Sequence, residues 1–223
     1  MKYFKIFFLA IILSCSNNHE SEQFENLQRI DLGEIESDKI LEASGLASSR
    51  FNQNILWTHN DSGDLNRIFA MDINGNHVGE FFLNNVENRD WEDIAIGPGP
   101  IEGVDYIFVG DIGDNRSEND IKHIYRFAEP QVYTDNQSSE INIDNIESIS
   151  YQYEDGNRDA ESLIVDPITK DIIIISKREE SAVHFYLLPF PHDTENILTA
   201  QLIMTKDFYP NINFNTSQWI VAG

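Results

Sequence analysis

The residues best placed to do chemistry are two copies of a D-x-G-D stretch, Asp61-Ser62-Gly63-Asp64 and Asp111-Ile112-Gly113-Asp114. Asp at each end offers a carboxylate, and Gly permits the positive-φ backbone that can turn both toward one point. Asn60 and Asn115 add side-chain carbonyls beside them. Oxygen donors in that arrangement suit a hard cation such as Ca²⁺, which takes six to eight oxygens. The same stretch also suits a tight turn in which Asp bonds its own backbone. Asp61, Asp64, Asp111 and Asp114 are therefore candidate metal ligands.

A second acidic set lies at Glu42, Glu92 with Asp93, and Glu161. Each opens an apolar run, so a repeated fold would bring them together. Carboxylates converging on one place repel unless a cation or a donor sits among them. Glu92, Asp93 and Glu161 are thus candidate ligands too; capping of exposed amides, or pairing with Arg89 or Arg158 just upstream, would equally explain them. His59 stands between an apolar run and the first acidic loop, where it could serve as a general base or bond a loop carbonyl. No G-x-S-x-G stretch accompanies it, and the single cysteine lies at position 15, so metal-activated water is the hydrolytic route the inventory allows.

The elements that must position these groups read as strands. Three segments align: 42–72, 90–127 and 159–188, each with an acidic start, a short strand, an Ile/Val/Phe-rich strand, a loop and an aromatic strand. Helical spacing is almost absent, whereas alternation and short apolar runs recur. The Asn74-Gly75 pair marks a hairpin turn. An Asn-, Asp- and Ser-rich insertion, 131–147, separates the second and third units. Units of about 40 to 50 residues made of short antiparallel strands predict an all-β fold, a β-propeller of four-stranded blades. About four blades fit residues 29–223, so the ring is expected to be incomplete at the C-terminus or to be a small four-bladed one. Trp57 and Trp91, with Phe69, Tyr125 and Phe185, are expected to pack between blades.

The N-terminus reads as an address. Lys2 and Lys5 precede the apolar run Ile6 to Leu13, too short to span a bilayer, which needs roughly 20 residues. Ile12-Leu13-Ser14-Cys15 follows and resembles the lipobox of bacterial lipoproteins, in which the signal, here 1–14, is removed and the cysteine carries the lipid. Cys15 is the expected lipidation site and 15–28 a polar tether to the domain. With one cysteine there is no intramolecular disulfide. Removing two lysines leaves 15 − 2 = 13 basic residues against 38 acidic, a net of 13 − 38 = −25. Nucleic acid and anionic lipid surfaces need basic patches and are poor partners for it.

Several of these stretches taken together resemble a known set of proteins. They are Ala43-Ser44-Gly45-Leu46-Ala47, Trp57-Thr58-His59-Asn60-Asp61-Ser62-Gly63, Asp90-Trp91-Glu92-Asp93-Ile94-Ala95 and Gly110-Asp111-Ile112-Gly113-Asp114-Asn115, with Ile124-Tyr125-Arg126 and Glu129-Pro130. The set resembles exported bacterial β-propeller proteins, many of them lipoproteins, over about residues 40 to 190. The Ser44-Gly45-Leu46-Ala47 opening is distantly similar to phytase-like esterase propellers. The resemblance implies a six-bladed-type propeller with acidic, Ca²⁺-binding loops, without bringing an activity. Phytase-type propellers hold phosphates with several cationic residues, and only Arg67, Arg89, Arg116 and Arg158 fall near these motifs.

Two functions are compatible with the sequence. One is a lipid-anchored, calcium-stabilised binding module of the cell envelope, with a small-molecule or protein ligand. The other is a metal-dependent hydrolase of a small ester, lactone or phosphoester with His59 as base. Because the third unit carries Ser176-Lys177-Arg178 where the others carry D-x-G-D, the loops' ligand is expected between the first two units.

Overall fold

A computed structural model describes residues 31–133, 140–177 and 182–208 of the 223-residue chain. The signal, Cys15 and the tether fall outside the described residues, as do 209–223. The fold is all-β: thirteen strands in two sheets, with no helix among the described residues. The first sheet has the order β1-β2-β3-β4-β8, from β1 (Ala43–Ser48), β2 (Ile55–Asn60), β3 (Arg67–Asp72), β4 (His77–Leu83) and β8 (Glu140–Ile143). The second has the order β10-β11-β12-β13-β9-β7-β6-β5. It is built from β5 (Trp91–Pro98), β6 (Asp105–Asp111), β7 (Lys122–Ala128), β9 (Glu147–Tyr153), β10 (Ala160–Val165), β11 (Ile172–Ser176), β12 (Val183–Leu188) and β13 (Leu198–Lys206). Its two end strands lie against each other, with the Leu163 amide donating to Asp93 Oδ2 at 2.7 Å, so the sheet nearly closes like a barrel.

Within these sheets the antiparallel pairings define three units of four strands: β1–β4, then β5, β6, β7 and β9, then β10–β13. The joins between units are parallel. Leu198 pairs with Tyr151 where β13 meets β9, and Glu80 pairs with Glu140 where β4 meets β8. The insertion, expected between the second and third units, lies instead within the second, between β7 and β9, and supplies β8, which covers the edge of the first unit that would otherwise present unpaired backbone.

The middle unit explains why its strands are continuously apolar rather than alternating. Ile107, Val109 and Phe127 pack with Trp57, Ile68 and Phe81 of the first unit, whereas Phe108, Ile124 and Tyr106 pack with Leu163, Ile174 and Tyr186 of the third. Both faces of β6 are covered, so both sets of side chains must be hydrophobic. Burying each large side chain contributes roughly 1.5–3 kcal/mol. Trp57 and Trp91 are fully buried, as expected of packing residues. The hairpin at Asn74-Gly75 joins β3 to β4, with Gly75 at φ 86° and its amide donating to Asp72 O at 3.0 Å.

Candidate metal centre

The start of the first strand of each unit, β1, β5 and β10, builds the site. Register shifts occur in β1 between Ser44 and Leu46, in β5 between Trp91 and Asp93, and in β10 between Ala160 and Ser162. These are β-bulges, which re-aim a side chain that regular alternation would send elsewhere. In β5 and β10 the bulged residues are Glu92 and Glu161. Their carboxylates turn toward one another, together with those of Asp90 and Asp159 two residues upstream.

The outcome is two overlapping groups that share Glu92. In the first, one carboxylate oxygen each of Asp61, Asp90 and Glu92 lie within 4.8 Å of one another; in the second, Glu92, Asp159 and Glu161 do the same. Oxygens around a Ca²⁺ at 2.3–2.6 Å can stand no more than about 5 Å apart, so both groups have cation-compatible spacing. Glu92, Asp159 and Glu161 are buried; Asp61 and Asp90 are partly exposed.

The second D-x-G-D loop contributes a surface rather than a ligand. A Cβ on Gly113 would lie 2.4 Å from Glu92 Oε1 and 2.5 Å from Asp90 Oδ2. A side chain at this position would force the two carboxylates to shift. Equivalent backbone bonds place Asp61, Gly113 and Lys177 alike in the three units: their amides donate to Glu42 O, Asp90 O and Asp159 O at 2.9, 3.2 and 2.9 Å. The Lys177 ammonium then ion-pairs with Glu161. The third unit therefore joins the site through Asp159, Glu161 and Lys177, so the acidic group is not confined to the first two units.

Electrostatics make this cluster costly without a counter-charge. Burial, then the nearby charges of Asp61 and Asp90, push the Glu92 carboxyl up to about 8, against a smaller opposing effect from Lys177. Burial and the charges of Asp61, Asp159 and Asp111 raise Asp90 as well. At neutral pH Glu92 holds a proton unless a cation takes its place. The donor set is oxygen only, with no His or Cys in either group, which fits Ca²⁺ or another hard cation rather than zinc.

The other sequence candidates lie close by in different roles. Asp64 is gripped by Arg67 through Nη2 at 2.7 Å and Nε at 3.1 Å, and accepts Asn60 Nδ2 at 2.6 Å. Burial would raise its carboxyl, but these donors hold it below the usual range. Asp114 accepts the buried Lys122 ammonium at 2.6 Å and the amides of Glu118 and Asn119, each at 2.9 Å. These likewise outweigh burial and lower it. Asp111 Oδ1 accepts the Asp90 amide at 2.9 Å, with Arg89 at 3.5 Å, and burial raises it. Asp93 accepts the Ile94 and Leu163 amides and ties the second unit to the third. Glu42 is exposed.

His59 is fully buried, edge-on to Trp91 at 5.8 Å, with Nδ1 2.8 Å from Asn60 O. That ring nitrogen must donate, since a carbonyl oxygen only accepts. Burial lowers the imidazole to about 4, so it is neutral at physiological pH.

Asp90, Asp159 and Lys177 belong to the site although the ligand pattern in the sequence did not single them out. The signal was present as Arg89-Asp90-x-Glu92 and Arg158-Asp159-x-Glu161, the same spacing in two units. The D-x-G-D repeat obscured it, because its two copies are out of structural register, by one residue at the strand ends and by two at the following amide. Asn60 and Asp111 are the equivalent residues: each ends its strand and accepts an amide, Glu42 N at 3.2 Å or Asp90 N at 2.9 Å. No protein-family model matches the chain, and no curated protein matches it.

Proposed function

We propose that this chain is an exported, lipid-anchored β-propeller of the cell envelope, a binding module clamped by calcium. Its three four-stranded units are read as blades of a six-bladed-type ring, and Asp61, Asp90, Glu92, Asp159 and Glu161 as the cation ligands. The observation that carries the cation reading is Glu92. It is a buried carboxylate shared by two groups of converging acids drawn from all three units. A cation there would hold the units together at their first strands, where burial and repulsion otherwise oppose closure. The binding reading is preferred to hydrolysis because the candidate base, His59, is fully buried against Trp91, out of reach of solvent, and burial lowers its imidazole to about 4, which makes it a weak base.

The test is a melting curve of the chelator-stripped protein with and without Ca²⁺. A site filled at 100 times its dissociation constant stabilises by about 2.7 kcal/mol, which for a chain of this size is a rise of roughly 5–10 °C. No rise at several millimolar Ca²⁺ would remove the cation from the proposal. Lipid attachment is tested separately: Cys15→Ser should abolish incorporation of labelled palmitate and release the protein from the membrane fraction. Unchanged labelling would refute the anchor.

A further inference from the structure

A cavity of about 520 Å³ lies between the first and second units and includes none of the five clustered carboxylates, although Asp111 and Arg89 in its wall adjoin Asp90. His123 and Tyr125, alternate residues of β7, line it with rings parallel within 4° and 6.1 Å apart. Val86 and Ile146 add partly buried apolar surface. These four make a narrow hydrophobic strip.

Charge decides what such a strip can hold. Glu87 and Asp144 line the same cavity and are exposed, and among the described residues no lysine or arginine forms an ion pair with either. Arg89 also lines it, but its Nη1 and Nη2 donate to Ile121 O at 3.2 Å and Asp111 O at 3.0 Å, with the Asp111 carboxylate at 3.5 Å, and its unpartnered Nε is buried. Burial makes the imidazole of His123 harder to protonate, against an opposing pull from the Asp111 charge. Two carboxylates are thus left without a counter-charge beside an apolar strip, in a chain whose formal net charge is −23. That field attracts cations and repels anions. A bare metal ion would make no use of the strip, and a neutral ligand would leave both carboxylates unanswered.

We propose that this cavity binds an alkylammonium cation, with its methylene stem along His123, Tyr125 and Ile146 and its ammonium between Glu87 and Asp144. An ammonium on an aliphatic stem combines a compact charge with apolar length, the pairing this cavity offers. The same chemistry comes from a free polyamine or from a lysine side chain of another protein.

Calorimetric titration of the full chain separates the two sources. It is run in 150 mM salt (about physiological ionic strength) with enough Ca²⁺ to fill the carboxylate cluster. Putrescine and spermidine form one arm and Nα-acetyl-lysine amide the other. Saturable binding in either arm is expected. Glu87→Gln and Asp144→Asn should each weaken it about fivefold, as for a partly exposed ion pair, and His123→Ala should weaken it as well. The first two substitutions are at exposed positions, so folding is not at stake. The proposal is overturned by no saturable binding of either amine, or by binding that survives the double substitution, which would be diffuse attraction to an acidic surface. Equal binding of glucose or inorganic phosphate would also overturn it.

Discussion

The fate of single carboxylates depends on what the fold places within reach of them. Glu92 and Asp93 are neighbours in sequence, yet one enters the acidic cluster and the other accepts backbone amides, because a bulge intervenes. Glu92→Gln mimics the protonated form, so the cation-free protein should melt no lower than the parent while its response to Ca²⁺ is lost. A retained response would place the cation elsewhere. Gly113→Ala is expected to do the opposite, lowering the melting point even without cation. The added methyl would lie 2.4 Å from Glu92 Oε1, and overpacking of this kind costs about 1–3 kcal/mol. Urea denaturation of the two variants side by side checks both.

At the level of elements, loops are tied down by buried acids with specific partners. Lys122 and Asp114 are fully enclosed and 2.6 Å apart. Burial lowers the Lys122 ammonium, and that ammonium keeps the Asp114 carboxyl ionised. Lys122→Met should cost about 3–5 kcal/mol because it strands a buried charge. Adding Asp114→Asn should recover part of the loss; a double variant no better than the single would refute the pairing. Glu129, just past β7, performs the same service between units. It accepts Trp57 Nε1 at 2.9 Å, Phe51 N at 3.1 Å, Arg50 N at 3.2 Å and Asn52 Nδ2 at 3.2 Å, besides the Ser49 hydroxyl. Glu129→Ala leaves the Trp57 indole unpaired in the core, and a loss of about 2–4 kcal/mol is expected in chemical denaturation.

For the whole molecule, pH and cation act on the same balance. Glu92, with its carboxyl raised to about 8, contributes stability that is full below its unfolded value of 4.5 and is lost as pH rises through 8. His59 and His192, both lowered to about 4 chiefly by burial, act in the other direction: their contribution is present above 6.5 and is lost as pH falls toward 4. The two windows overlap from 4.5 to 6.5, where two histidines outweigh one carboxylate, so the chelated protein should be most stable near pH 6.5 and weaken toward pH 8. Calcium should abolish the alkaline decline, since it replaces the proton on Glu92, while leaving the acidic limb in place. Melting temperatures recorded from pH 4 to 9 with Ca²⁺ and with chelator would reveal an unchanged alkaline limb if the cation does not bind there.

The residues by themselves determined the all-β class, the strand unit and the places where acids begin a strand. Periodicity and composition are local properties, and Ile, Val and Phe runs between Asp, Asn and Gly turns encode them along the chain. Tyr106 to Val109 could be read as a buried strand because nothing but coverage on both faces tolerates four apolar residues in a row. Asp61, Glu92 and Glu161 were legible as cluster members on the same basis. Tertiary structure decided which acids meet. The bulges at Glu92 and Glu161 change side-chain direction by one residue, and the offset between Asn60 and Asp111 shifts one acidic motif against its copy. No local pattern records either. Asp64 and Asp114 left the candidate set for a related reason: Arg67 and Lys122, three and eight residues away in sequence, reach them first once the strands are in place. A carboxylate's chemistry is set by the nearest charge, and the nearest charge is a property of the fold.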